Sequence, residues 1–285
     1  MALKNIVGID HAVVVVRDLD QAAENWRRLG FTVSPRGTHS AKMGTGNFTI
    51  MLGPDYIELL GVLTETEHNA PTRAYLARHG EGIERVAFTA VDAAAGAEEI
   101  RARGYAALGP TDFERPVTMP DGTLSAAKFR TFQWPIEEAP AGLRIFACQH
   151  KTRETVWIPQ LQQHTNAVKC LRRALVVSRD PARDAAHLAR LIDRDVSAGP
   201  DGAATVASGS DRADFLFLTK EQLRRRYPDV SLAQLPERGG AGLVLATTNL
   251  AAAEKAAGKA AIRTAGGVLV APGAANGVLL VFVAA

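Results

Sequence analysis

A chain of 285 residues with 47% hydrophobic content can bury a sizeable core, and its length suits one large domain or two of ordinary size. The 33 basic side chains barely exceed the 30 acidic ones, giving a formal charge of +3, and basic clusters such as Arg224-Arg225-Arg226 are short and lack interleaved aromatics. A solvated surface is therefore expected, with no nucleic-acid partner.

Cys148 and Cys170 form neither a disulfide framework nor a CxxC motif and read as small core residues. Acid and glycine interrupt the apolar stretch that a leader would need at Met1 to Asp10, and no run approaches membrane-spanning length. These features predict a cytoplasmic protein with no membrane partner.

The first predicted strand is Ile9-Asp10-His11-Ala12-Val13-Val14-Val15-Val16. Asp18 or Asp20 can cap the helix that follows, in which Ala22, Trp26 and Leu29 share a face and Gly30 supplies the C-terminal stop. Phe31-Thr32-Val33, Asn47 to Leu52 and Tyr56-Ile57-Glu58-Leu59-Leu60 read as strands, parted by turns at Gly44-Thr45-Gly46 and Gly53-Pro54-Asp55. The first sixty residues thus predict βαβββ.

The pattern returns at Gly82 to Asp92, followed by an Ala-rich helix that stops at Gly104 and by strands around Phe129 to Phe132 and Leu143 to Cys148. A third copy at Leu171 to Asp180 aligns without gaps on Ile9 to Asp18, and its helix is Ala185 to Ile192. A shorter fourth starts at Leu243 and finishes at Gly277 to Val283. Four modules form two pairs, with the polar connector His150 to Asn166 between them, so the expected domains are 1–165 and 166–285.

His11 and Glu58 stand out because each is an ionisable group in an apolar strand. A buried carboxylate costs several kcal/mol unless something pairs with it, and a metal ion is the simplest shared partner of an acid and an imidazole. The alternative is a core histidine hydrogen-bonded to Glu58 with no ion. His150, at a strand end, is a third candidate ligand or a solvated side chain. His39 and Ser40 fall in a loop that could carry substrate contacts or be a solvated turn. Gly44-Thr45-Gly46-Asn47 lacks the lysine and hydroxyl of a phosphate-binding loop, so no nucleotide site is expected. Arg85 and Arg173 stand where the second and third copies would have His11. In that place an arginine can grip a substrate carboxylate or pair with a structural acid such as Glu84 or Asp214. Apolar residues replace Glu58 in the C-terminal copies, which predicts that any metal site there is lost.

Gly8-Ile9-Asp10-His11, Gly37-Thr38-His39-Ser40, Gly44-Thr45-Gly46-Asn47, Tyr56-Ile57-Glu58-Leu59-Leu60 and Cys148-Gln149-His150 followed by Trp157 resemble the vicinal oxygen chelate superfamily, the glyoxalase, bleomycin-resistance and extradiol-dioxygenase group. The resemblance is to its glyoxalase-like proteins, covers residues 6–165, and reaches the remainder only by module pattern. It implies an α+β fold in which paired βαβββ modules curve into half-barrel cups, with ligands on the first and fourth strands of each module. His11 and Glu58 match those positions; Arg85 and Phe146 depart from them, and His150 could supply a third ligand.

The implied activity is that of a lyase, isomerase or dioxygenase using Fe2+, Mn2+ or Zn2+. Its substrate would be a small oxygenated molecule chelated through vicinal oxygens, with Glu58 as ligand, base or both. Arg85 and His39 would contact substrate. A metal-free binding protein that sequesters a small molecule is the alternative. The C-terminal pair would serve assembly, including a homodimer, or form a lid.

Overall fold

The protein was analysed as a computed structural model that describes residues 3–209 and 211–285; Met1 and Ala2, where the leader reading begins, lie outside them. The first module comprises β1 (Ile6–Val16), α1 (Leu19–Arg28), β2 (Gly37–Thr38), β3 (Thr45–Met51) and β4 (Tyr56–Val62). The second comprises β5 (Gly82–Ala90), α3 (Ala93–Ala102), β6 (Leu108–Thr118), β7 (Leu124–Gln133) and β8 (Arg144–His150), with α2 (Ala70–His79) lying before it. The third is β9 (Val168–Val177), α4 (Pro181–Ile192), β10 (Val196–Ala198), β11 (Ala204–Val206) and β12 (Asp214–Leu218). After α5 (Lys220–Arg226), the fourth runs β13 (Gly239–Thr247), α6 (Leu250–Ala257), β14 (Ala261–Thr264), β15 (Gly267–Val270) and β16 (Leu279–Ala284).

The α+β architecture of four βαβββ modules in two pairs is as the sequence predicts. Each pair makes one eight-stranded sheet, in the order β2-β3-β4-β1-β5-β8-β7-β6 and β10-β11-β12-β9-β13-β16-β15-β14. First and fourth strands of a module run parallel side by side, β1 with β4 and β5 with β8. The N-terminal sheet curves until its edges nearly meet: a Cβ on Gly37 of β2 would lie 3.2 Å from Arg115 Cδ on β6. Among the described residues no helix is long and apolar enough to cross a membrane.

Several elements differ from the sequence reading. Phe31-Thr32-Val33 is not a strand; its buried Phe31 packs on Trp26 of α1, which satisfies the apolar side chains without a ladder. Strand β6 is mostly exposed, so its sequence carries no apolar alternation, and β13 begins at Gly239, where glycines hide the strand signal. Neither α2 nor α5 was expected. Each covers one end of a cup: Leu76 of α2 packs with Val13, Val15 and Leu60, and Leu223 of α5 with Leu175, Val177 and Leu216.

An Asx residue caps the helix of every module, with Asp18, Asp92, Asp180 and Asn249 each accepting a backbone N–H of the first turn. These helices bury apolar faces on the convex side of the sheets, in one core that draws on both halves of the chain; Phe88 of β5 meets Phe215 of β12 with ring centroids 5.8 Å apart. The β3–β4 turn also joins the halves. Gly53 N–H donates to Lys169 O at 2.8 Å, and the buried Asp55 carboxylate accepts Leu171 N–H at 3.0 Å.

One irregularity recurs in all four modules. In the β1–β5 ladder Ile9 pairs with Phe88 and His11 with Ala87, leaving Asp10 as an extra residue; farther along, Val13 pairs with Arg85 and Val14 with Ile83, leaving Glu84. The β9–β13 ladder skips Arg172 and Ala241 in the same way. Each first strand therefore carries a β-bulge at the same place, which re-aims the side chain that sits in it.

Candidate active site

The bulge lets two consecutive residues of β1 serve the inside of the N-terminal cup. Asp10 is fully buried, and its Oδ1 accepts from His11 Nδ1 at 2.7 Å and from His150 Nε2 at 2.9 Å, while Oδ2 accepts the Thr89 hydroxyl at 2.7 Å. Burial alone would raise this carboxyl, but the charges and hydrogen bonds of His150 and His11 prevail and hold it well below the usual carboxylate range. A carboxylate only accepts, so each imidazole turns an N–H toward it. That leaves His11 Nε2 and His150 Nδ1 as the ring nitrogens turned away from Asp10. His150 Nδ1 is buried and has no hydrogen-bond partner among the described residues.

His11 Nε2 stands 3.7 Å from Glu58 Oε2. Register explains the approach: on the parallel β1–β4 ladder His11 is level with Tyr56 and Val13 with Glu58, so His11 and Glu58 are diagonal neighbours on one face. Asn47 Nδ2 donates to Glu58 Oε1 at 2.6 Å and fixes the other carboxylate oxygen. Gly37 makes room for Asn47, because a Cβ there would sit 2.3 Å from Asn47 Oδ1.

Aromatic rings wall the site. Tyr56 stacks on His11 at 4.2 Å, Phe146 meets its edge at 5.4 Å, and Phe129 and Trp157 contact His150 edge-on at 5.2 and 4.8 Å. Trp157 is anchored by its indole N–H to Gly53 O at 2.8 Å, with the Arg153 guanidinium over its ring. Burial raises the Tyr56 phenol and the Cys148 thiol well above their ordinary values, so both stay neutral.

Of the sequence-predicted residues, the structure brings His11 and Glu58 together and sets His150 on the same Asp10 oxygen that His11 bonds. The metal-competent group whose ligand atoms all lie within 4.8 Å of one another is Asp10, His11 and His150. His39 bonds Thr45 Oγ1 through Nδ1 at 2.8 Å; burial lowers its pKa despite the opposing charge of Glu58, so the ring is neutral at pH 7.

Arg85 is tied to Glu84 and donates to Thr72 Oγ1 at 2.7 Å, while Arg144 Nη1 reaches the same Glu84 at 2.6 Å. Glu84 is thus the second module's counterpart of Asp10, with two arginines in place of two histidines. Glu58 and Arg85 lie on either side of Val13, two strand spacings or about 9.6 Å apart.

Asp10, Asn47 and Tyr56 stand in the sequence motifs with no role assigned to them, and Thr89 falls inside the second repeat. An acid beside a histidine in an apolar strand was the available signal for Asp10. In the C-terminal sheet Arg173 and Leu216 replace His11 and Glu58, and Gly242 and Val281 stand at the matching places in the fourth module.

A family model described as a glyoxalase-like domain matches residues 9–192. No curated protein matches the chain by sequence. Among solved structures, a hypothetical protein from Staphylococcus aureus superposes with a TM-score of 0.70 at 13% identity, over 97% of this chain and 99% of that one, which is a likeness of fold. Methylmalonyl-CoA epimerase from Streptomyces coelicolor gives 0.41 at 22% identity over 51% of this chain and 99% of that one. The Mycobacterium tuberculosis epimerase gives 0.40 at 21%, over 52% and 92%.

Proposed function

Since the chain belongs to the glyoxalase-like domain family, within the vicinal oxygen chelate superfamily, we propose that its N-terminal cup is the active site of a metal-dependent enzyme. The substrate is a small oxygenated molecule chelated through vicinal oxygens, and the N-terminal pair, residues 1–165, carries the chemistry. The observation that carries this reading is the orientation of His11. Its Nδ1 is anchored on buried Asp10, so its Nε2 faces Glu58 at 3.7 Å. A metal-ligating histidine commonly donates its other ring N–H to a carboxylate in this manner. The two atoms, 3.7 Å apart, are close enough that one ion would touch both.

The residues fit a divalent ion such as Fe2+, Mn2+ or Zn2+: His11 and Glu58 would hold it, and the unpartnered His150 Nδ1 offers a third nitrogen. Such an ion supplies Lewis-acid polarisation of a carbonyl or enediolate oxygen. The chain's own part is to orient and to move a proton. Asp10 fixes both imidazoles, Asn47 holds Glu58 Oε1, and the Glu58 carboxylate, a ligand through Oε2, would accept a proton on leaving the ion. Neutral His39 and the Arg85 guanidinium contact substrate oxygens. The reaction class is that of a lyase, isomerase or dioxygenase. Metal analysis of untagged protein tests the reading: about one transition-metal ion per chain is expected, lost in His11→Ala, whereas metal-free protein with the same content in the variant refutes it.

The aromatic walls favour one second reading, a metal-free cup that sequesters an apolar molecule between Tyr56, Phe129, Phe146 and Trp157. Ligand binding that survives both EDTA and Glu58→Gln would select it.

A further inference from the structure

The C-terminal cup is filled at one end by Leu223, Val230 and Leu232. At its other end, where Arg173 takes the place of His11, a cleft of about 1090 Å³ opens between the two halves of the molecule. We propose that this cleft is a second ligand site, one that takes a small molecule bearing two or more anionic oxygen groups.

Lys4, Arg172, Arg173, Arg194 and Arg212 line the cleft against two acids, Asp211 and Asp214. The local excess of three positive charges equals the formal charge of the whole chain. Among the described residues only Arg173 of the five has a carboxylate in reach, Asp214 at 3.6 Å, and its Nε is buried with no partner.

Arg194 donates to Ser208 O at 3.2 Å and to Ile6 O at 3.3 Å, and Arg212 donates to Pro54 O. Carbonyls aim those guanidiniums without neutralising them. Arg172 is the exposed bulge residue of β9, so its side chain stands free of the ladder. Like charges drawn from β9, from the segment after α4 and from Lys4, just before β1, repel one another, and that repulsion is relieved by a bound multivalent anion. Guanidinium forks suit carboxylate and phosphate oxygens alike. The cleft is large enough for a metabolite-sized molecule.

Calorimetric titration of the full-length, EDTA-treated protein with fructose 1,6-bisphosphate and, separately, tricarballylate tests the proposal. One saturable site is expected, and the probe that fills it shows whether phosphate or carboxylate is preferred. Saturation by both marks a general multivalent-anion site. Arg172→Glu, at an exposed position, should keep the unliganded melting temperature and weaken binding about tenfold or more. Glu58→Gln should leave binding unchanged, which separates this cleft from the N-terminal cup. Absence of saturable heat with both probes, wild-type affinity in Arg172→Glu, or loss of binding in Glu58→Gln overturns the proposal.

Discussion

Asp55 makes the junction between the halves sensitive to pH. Its carboxyl is buried in the β3–β4 turn, Oδ1 accepts the Leu171 N–H, and Oδ2 has no partner among the described residues. Burial pushes its pKa from 3.8 up to about 7, against smaller opposing effects of the Leu171 hydrogen bond and the Arg212 charge. Because the folded value lies above the unfolded one, the fold binds this proton more tightly than the unfolded chain does. The contribution to stability is complete below pH 3.8 and lost as pH rises to about 7. The difference between the two values corresponds to about 4 kcal/mol at 1.36 kcal/mol per pH unit.

Asp55→Asn keeps the acceptor for Leu171 and removes the ionisation. Urea denaturation of both proteins from about pH 4 to about pH 8 isolates this group, since every other titration is common to the two. The variant should match the wild type at the acid end and gain up to about 4 kcal/mol at the alkaline end. A pH-independent difference, or a variant weaker at pH 8, would refute the reasoning.

Three further outcomes follow from the site and the core. Asp10→Asn removes the charge that orients both imidazoles and should lower metal affinity about 10–100-fold, read by competition with a chelator; wild-type affinity would show that Asp10 orients nothing. Gly37→Ala places a methyl group against Asn47 Oδ1 and displaces the Glu58 donor, so metal binding should weaken at a stability cost of about 1–3 kcal/mol; intact binding would separate Asn47 from the site. Trp26→Ala empties the largest fully buried side chain of α1 and should cost about 3–5 kcal/mol in denaturant unfolding, while a loss below 1 kcal/mol would mean that the core closes over the gap.

The modules were legible because their signals are local. A β-rich run, an Asx cap, a helix closed by glycine and a return of strands recur at Ile9, Ile83 and Leu171 with the same residue types at the same offsets. His11 and Glu58 were legible because ionisable groups in apolar strands violate the pattern around them. The Asp10 network was not, since it depends on a two-against-one register with β5 and on His150, 140 residues away, both set by tertiary pairing. The false strand at Phe31 has the complementary cause: apolar composition reports burial, and here a loop is buried against α1.

The recurrent bulge works as a socket. A residue outside the ladder makes no cross-strand pair, so Asp10, Glu84, Arg172 and Ala241 can differ while the pairing around them stays the same. Chemistry at that point is uncoupled from scaffold integrity: one scaffold holds a carboxylate that steers two imidazoles, a carboxylate that gathers two guanidiniums, an exposed cation and an inert methyl group. Reprogramming a cup of this kind should begin at its sockets, where an exchange alters which groups are gathered and leaves the strand register that gathers them untouched.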